Sequence, residues 1–158
     1  MSAADLVQVL TSQAQTVATA ESLTAGLLAA TIADVPGASA VLRGGLVVYA
    51  TDLKASLAGV DESVLEEYGP VSSATAAQMA LGAQIRCGAD WGVSLTGVAG
   101  PTPQAGHPVG EVWLGLAGPH GSVATSNLDL PPEFSRKQIR GESVARAISG
   151  LLNSIRGH

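Results

Sequence analysis

Apolar positions recur along this chain with two alternating periods. Within residues 3–14, Leu6, Val9 and Leu10 fall on one face of a helix, and residues 16–20 (TVATA) then read as a short buried strand. The Ala- and Leu-rich segment beyond predicts a helix reaching about Asp34, with Ser22 or Thr24 as its cap, and residues 35–39 (VPGAS) turn the chain. A second strand is predicted over 44–50 (GGLVVYA), followed by a short helix to about Ala58 that Thr51 or Asp52 would cap. A small helix over Asp61 to Tyr68 precedes a long Ala-rich one over Ser73 to Cys87. Residues 91–97 form the next strand, and 111–118 with 122–130 form a hairpin across Pro119 to Gly121. A last helix runs from about Ser135 to Ile155. This order predicts an α/β fold, a three-layer α/β/α sandwich with a mixed, largely parallel sheet.

Composition narrows the picture. The 158 residues suit one domain, 1–158, with one core, without repeat, linker or low-complexity tract. The chain is 46% hydrophobic but only 3% aromatic, so that core must be built mainly from Ala, Val, Leu and Ile. A formal charge of -5 repels polyphosphate and argues against nucleic acid as a partner. The single Cys87 excludes an internal disulfide, and His107, His120 and His158 are too scattered to suggest a metal site. Residues 1–15 carry an acid at Asp5 and neither a basic leader nor a long apolar run, so no signal peptide is expected. No stretch reaches membrane-spanning length, and a cytoplasmic location follows as the default.

Polar groups fall just after three of the strands: Ser22 and Thr24, then Tyr49 to Lys54, then Thr96 to Gly100. If these strands are parallel, all three groups meet at one sheet edge, where α/β proteins bind ligands and where helix N-termini favour anions. A phosphate-bearing ligand fits such an edge. Ser22 reads either as a plain helix cap or as a nucleophile needing a base. Lys54 is either a solvated lysine, a phosphate ligand, or a base whose pKa burial depresses. Thr51, three residues before it, offers a rival hydroxyl on the same helix face. Tyr49 either buries its ring in the strand, or orients Lys54 or carries a proton. The glycines of TGVAGP (96–101) can bring backbone amides against an oxyanion or phosphate. That segment opens a Gly/Pro-rich loop, 98–110, too long to be an idle connection. His107 in this loop is a solvated residue or a substrate contact, and Arg136 and Arg140, four apart, either grip phosphate or form a solvated face.

Taken together, these segments resemble the C-terminal domain of the competence/damage-inducible CinA family over nearly the whole chain. The matching pieces are AESLTAGLLAATIADVPGAS (20–39), GGLVVYATDLKASLAGV (44–60), YGPVSSATAAQMALGA (68–83) and SLTGVAGPTPQAGHPVGEVW (94–113). The resemblance implies a nicotinamide-nucleotide amidohydrolase, which converts nicotinamide mononucleotide to nicotinic acid mononucleotide and ammonia with no metal or organic cofactor. It implies Ser22 as nucleophile, Lys54 as its base or activator, and Tyr49 and Thr96 as supporting polar groups. Glu21, Thr24, Gly26, Gly97, Gly100 and Pro101 match the surrounding motifs and are the implied substrate contacts, and His107 and Arg140 join them as candidates from the reading of the residues above. The oxyanion would meet amides near Gly97 or at the start of the second helix. Family members associate, so a homo-oligomer is expected. The chain departs from many relatives at Pro103 and Gln104, where a Gly-Gly pair is common, and at His107, where a Lys or Arg precedes PVG. The upstream nucleotide-pyrophosphatase domain of longer relatives has no counterpart in these 158 residues. Two other readings stand beside the amidohydrolase: a catalytically silent nucleotide-binding module, and an amidase for another pyridine nucleotide.

Overall fold

A computed structural model describes residues 1–157; His158 lies outside the described residues. Its elements are α1 (Ala3–Gln13), β1 (Val17–Glu21), α2 (Leu27–Ala33), β2 (Leu42–Val47), α3 (Thr51–Ser56), α4 (Glu62–Tyr68), α5 (Ser73–Cys87), β3 (Trp91–Gly97), β4 (Val112–Ala117), β5 (Val123–Asn127) and α6 (Arg136–Arg156). Short 3₁₀ turns occupy Ala38–Ala40 and Pro119–Gly121. The sheet order is β2-β1-β3-β4-β5. β1 pairs in parallel with both β2 and β3, whereas β3 with β4 and β4 with β5 pair antiparallel. Only β4 therefore runs against the other four strands, and the sheet is mixed and largely parallel as expected.

Strand alternation sends side chains into two cores. Val17 of β1 and Trp91, Val93 and Leu95 of β3 pack with Leu6 and Leu10 of α1, Leu28 and Ile32 of α2, and Ile139 and Leu151 of α6. Ala18 and Ala20 face the other way, against Met79 and Ala83 of α5. The second layer sits unusually close, because small residues line it. A Cβ at Gly92 would collide with the Ala80 carbonyl oxygen, and one at Gly115 with that of Ala76. Ser94 Oγ donates to the same Ala76 carbonyl at 2.6 Å.

Helix boundaries follow local chemistry. Ser72 Oγ accepts the Thr75 amide to start α5, and Gly88 ends it in the left-handed region, φ 62°. Ser135 and Gln138 form a reciprocal capping box on α6. Two expected caps are corrected. Neither Ser22 nor Thr24 caps α2, because Ala25 (φ 49°) and Gly26 (φ 95°) are left-handed and delay the helix to Leu27. Neither Thr51 nor Asp52 caps α3; Ala50 holds that position without a side-chain bond. β2 also ends at Val47, which leaves Tyr49 beyond the strand rather than in it.

Candidate active site

Because β2, β1 and β3 are parallel, their carboxyl ends deliver residues 48–50, 22–26 and 98–110 to one edge. Backbone bonds extend the ladder beyond the strands: the Ser22 amide donates to the Leu95 carbonyl, and the Val48 amide to that of Glu21, both at 2.9 Å. Between the loops lies an open cavity of about 210 Å³ lined by Ser22, Tyr49, Lys54, Thr96, Gly97 and Gly100 among others.

Lys54 is the pivotal group. It is 1% exposed, and its Nζ donates to Ser22 Oγ at 3.0 Å, to the Val48 carbonyl at 2.8 Å and to the Tyr49 carbonyl at 3.2 Å. No carboxylate lies within ion-pair distance of it among the described residues. Burial without a compensating anion penalises the ammonium and lowers its pKa from 10.5 to about 8. Once neutral, the amine can keep two N–H bonds to the carbonyls, and its lone pair then faces the Ser22 hydroxyl. That is the arrangement a serine nucleophile requires of its base.

The turn that presents Ser22 is held from both ends. Glu21, fully buried, accepts the Leu28 amide at 2.8 Å, the Ala29 amide at 3.0 Å and the Thr19 hydroxyl at 3.0 Å. It therefore caps α2 from the strand, at the helix end where negative charge is stabilised. Arg140 of α6 donates through Nε to the Leu23 carbonyl at 2.9 Å and through Nη2 to that of Thr24 at 3.2 Å. Thr24 is buried, with no hydrogen-bond partner for Oγ1 among the described residues. Gly26 supplies the left-handed step into α2. None of these four lines the cavity. They shape the turn that presents Ser22. At the start of α2 Glu21 occupies the Leu28 and Ala29 amides, which removes those two from the expected oxyanion donors. The amides of Leu23, Ala99 and Gly100 have no intramolecular acceptor among the described residues, and all three residues line the cavity.

Thr96 is buried at the cavity wall and donates to the Pro70 carbonyl at 2.6 Å. Gly100, at φ 83°, accepts from Arg136 Nη1 at 2.6 Å through its carbonyl, and Arg136 Nη2 donates to the Tyr49 hydroxyl at 2.9 Å. Arg136 thus bridges two loops at the cavity, which it lines. Tyr49 is 55% exposed, so the expectation of a buried ring is corrected, and it orients Lys54 through its carbonyl and not its hydroxyl. Pro101, flanked by the cavity residues Gly100 and Thr102, does not line the cavity itself. Nor does His107, whose Nδ1 lies 2.9 Å from a Glu111 oxygen.

The structure thus brings together Ser22, Tyr49, Lys54, Thr96, Gly97 and Gly100, and adds Arg136 and Gln104 to them. The carbonyls of Val48, Tyr49 and Pro70 went unforeseen, because backbone acceptors carry no residue-type signal. Arg136 and Arg140 looked alike in the sequence, and only the docking of α6 separates the cavity-lining arginine from the bracing one. Among the described residues no three His, Cys, Asp or Glu side chains come together, and no helix is long and apolar enough to cross a membrane.

Comparison with known proteins agrees with this architecture. The family described as "CinA C-terminal domain" matches residues 1–155. A "CinA-like protein" of Frankia casuarinae is 51% identical over 152 residues, covering 92% of this chain and 34% of its own length. A "putative competence-damage inducible protein" of Limosilactobacillus fermentum is 44% identical, covering 98% of this chain and 37% of its own. The chain therefore spans about a third of the length of the curated relatives it matches. Among solved structures, the competence/damage inducible protein CihA of Agrobacterium tumefaciens superposes with a TM-score of 0.92 at 35% identity, covering 98% of this chain and 93% of its own. A CinA superfamily protein of Escherichia coli gives 0.90 at 29% identity, covering 95% and 86%.

Proposed function

This chain belongs to the CinA C-terminal domain family, and on that basis we propose that it is an amidohydrolase acting on nicotinamide mononucleotide through Ser22 and Lys54. The observation that carries the reading is the buried, carboxylate-free Lys54 amine, held by two carbonyls at 3.0 Å from the Ser22 hydroxyl. A structural lysine buried this deeply would pair its charge with a carboxylate.

Neutral Lys54 takes the Ser22 proton as Oγ bonds to the carboxamide carbon, and the carbonyl electrons move to oxygen. Amides in the walls at Leu23, Ala99 and Gly100 are the oxyanion donors of choice, worth roughly 3 to 4 kcal/mol each when well aimed. The tetrahedral adduct collapses with cleavage of the C–N bond, and Lys54 returns its proton to the departing ammonia. Water, deprotonated by Lys54, then attacks the ester, which releases nicotinic acid mononucleotide and restores the serine. Arg136 supplies a cation at the mouth for the substrate's phosphate, a role its planar fork suits. The reading needs neither metal nor organic cofactor, and the partner is a small nucleotide, with a homo-oligomer and a cytoplasmic setting as part of the proposal.

Ammonia release from nicotinamide mononucleotide, measured with a chelator present beside Ser22→Ala, tests the proposal. Release by the parent and none by the variant is the expected result. A folded parent that binds the nucleotide without releasing ammonia would favour the silent module, and release from another pyridine nucleotide alone would redefine the substrate.

A further inference from the structure

The cavity-lining loop carries a device that the chemistry above does not use. Gln104 and His107 face each other across a miniature hairpin, with the Gln104 amide donating to the His107 carbonyl at 3.0 Å and the His107 amide returning to Gln104 at 2.8 Å. Ala105 and Gly106 between them take φ of 49° and 82°, the positive values that two-residue hairpin turns demand. One side of this hairpin, Gln104, lines the cavity. The other side is anchored: His107 Nδ1 lies 3.0 and 2.9 Å from the two Glu111 oxygens, and Trp113 Nε1 donates to Glu111 at 3.0 Å. Glu111 adjoins β4 and Trp113 lies within it, so the anchor is the sheet itself. Glu111 is the only carboxylate within ion-pair distance of His107 among the described residues.

We propose that Gln104 is a specificity-determining residue that contacts the nucleotide, and that His107, through Glu111 and Trp113, is its positioning residue. The inference rests on the proposed amidohydrolase reading. Gln104 offers a neutral NH₂ donor group and a neutral carbonyl acceptor, which match hydroxyl or amide groups of the substrate rather than its phosphate. A two-residue turn leaves the tip little slack, so fixing His107 fixes Gln104 opposite it. His107 acts without entering the cavity.

The test uses the full chain and has two arms. In the first, nicotinamide mononucleotide turnover is measured for Gln104→Ala, His107→Ala and His107→Asn; asparagine keeps an N–H close to the place of Nδ1. Gln104→Ala and His107→Ala should raise KM about tenfold, the effect of one lost hydrogen bond, with kcat within about twofold of the parent, and His107→Asn should restore KM. In the second arm, amide hydrogen exchange of residues 102–107 should quicken in His107→Ala and return to the parent rate in His107→Asn. A parent-like KM for Gln104→Ala overturns its role as a contact. Unchanged exchange in His107→Ala overturns the anchor. If the parent turns over no nicotinamide mononucleotide, the amidohydrolase reading and the Gln104 contact fall together, while exchange still decides the anchor.

Discussion

Glu21 accepts the Leu28 amide at 2.8 Å from across the turn that carries Ser22, so one carboxylate closes a loop whose apex is Ser22. Its second oxygen takes the Ala29 amide and the Thr19 hydroxyl. Glu21→Gln would set an NH₂ group against donors where an acceptor is required. We expect a loss of about 1–3 kcal/mol of stability, read from urea unfolding, together with lower kcat. A variant as stable as the parent would show that the turn is held by other means.

The depressed Lys54 pKa predicts the pH dependence of turnover. With the neutral amine as the proposed base, kcat/KM should rise as pH passes through about 8 and then level off. A profile flat from about pH 6 to about pH 9 would remove Lys54 from the proton transfer.

The same shift predicts a stability effect with a definite sign. Between the folded value near 8 and the ordinary 10.5, the unfolded chain binds the extra proton, so stability rises with pH across that window. The parent should gain about 2 kcal/mol relative to Lys54→Met between about pH 8 and about pH 10, as measured by denaturant titration at both values. Equal pH dependence in parent and variant would mean that Lys54 stays charged in the fold.

Arg140 braces the nucleophile turn without lining the cavity. Arg140→Ala should lower kcat, because Leu23 and Thr24 lose their charged donor, and cost about 1–3 kcal/mol of stability. Its KM should change little. Arg136→Ala, by contrast, should raise KM for the phosphorylated substrate, since that guanidinium lines the cavity.

Close packing on the α5 side predicts intolerance to a single methyl group. Gly115→Ala would drive a Cβ against the Ala76 carbonyl and Ser94 Oγ, which already bond to each other. A destabilisation of about 1–3 kcal/mol is expected from thermal unfolding, and none would imply that α5 can lift off the sheet.

Much of the fold was legible because period and chain order agree. The Ala-rich run from Ser73 to Cys87 is a helix with those bounds, and residues 91–97 are a strand. The polar groups after three strands do converge, since those strands are parallel. Legibility failed where one residue's backbone decides the outcome. Ser22 and Thr24 have the chemistry of caps, yet left-handed Ala25 and Gly26 move the helix start beyond them. The sequence was also silent on particular partners: Glu21 meets two amides, and His107 meets Glu111. Such pairings depend on which strand face a residue takes, and residue type does not report that.

The two arginines of α6 tie the finished site to the order of synthesis. Arg140 reaches back 117 residues to Leu23 along the chain, and Arg136 reaches 87 to Tyr49. A nascent chain that has emerged only through β5 already holds Ser22 and Lys54 but neither brace. The second hold on the Ser22 turn therefore arrives last, with the final helix, and a polypeptide cut short before that helix keeps the Glu21 cap but lacks the Arg140 bonds to Leu23 and Thr24.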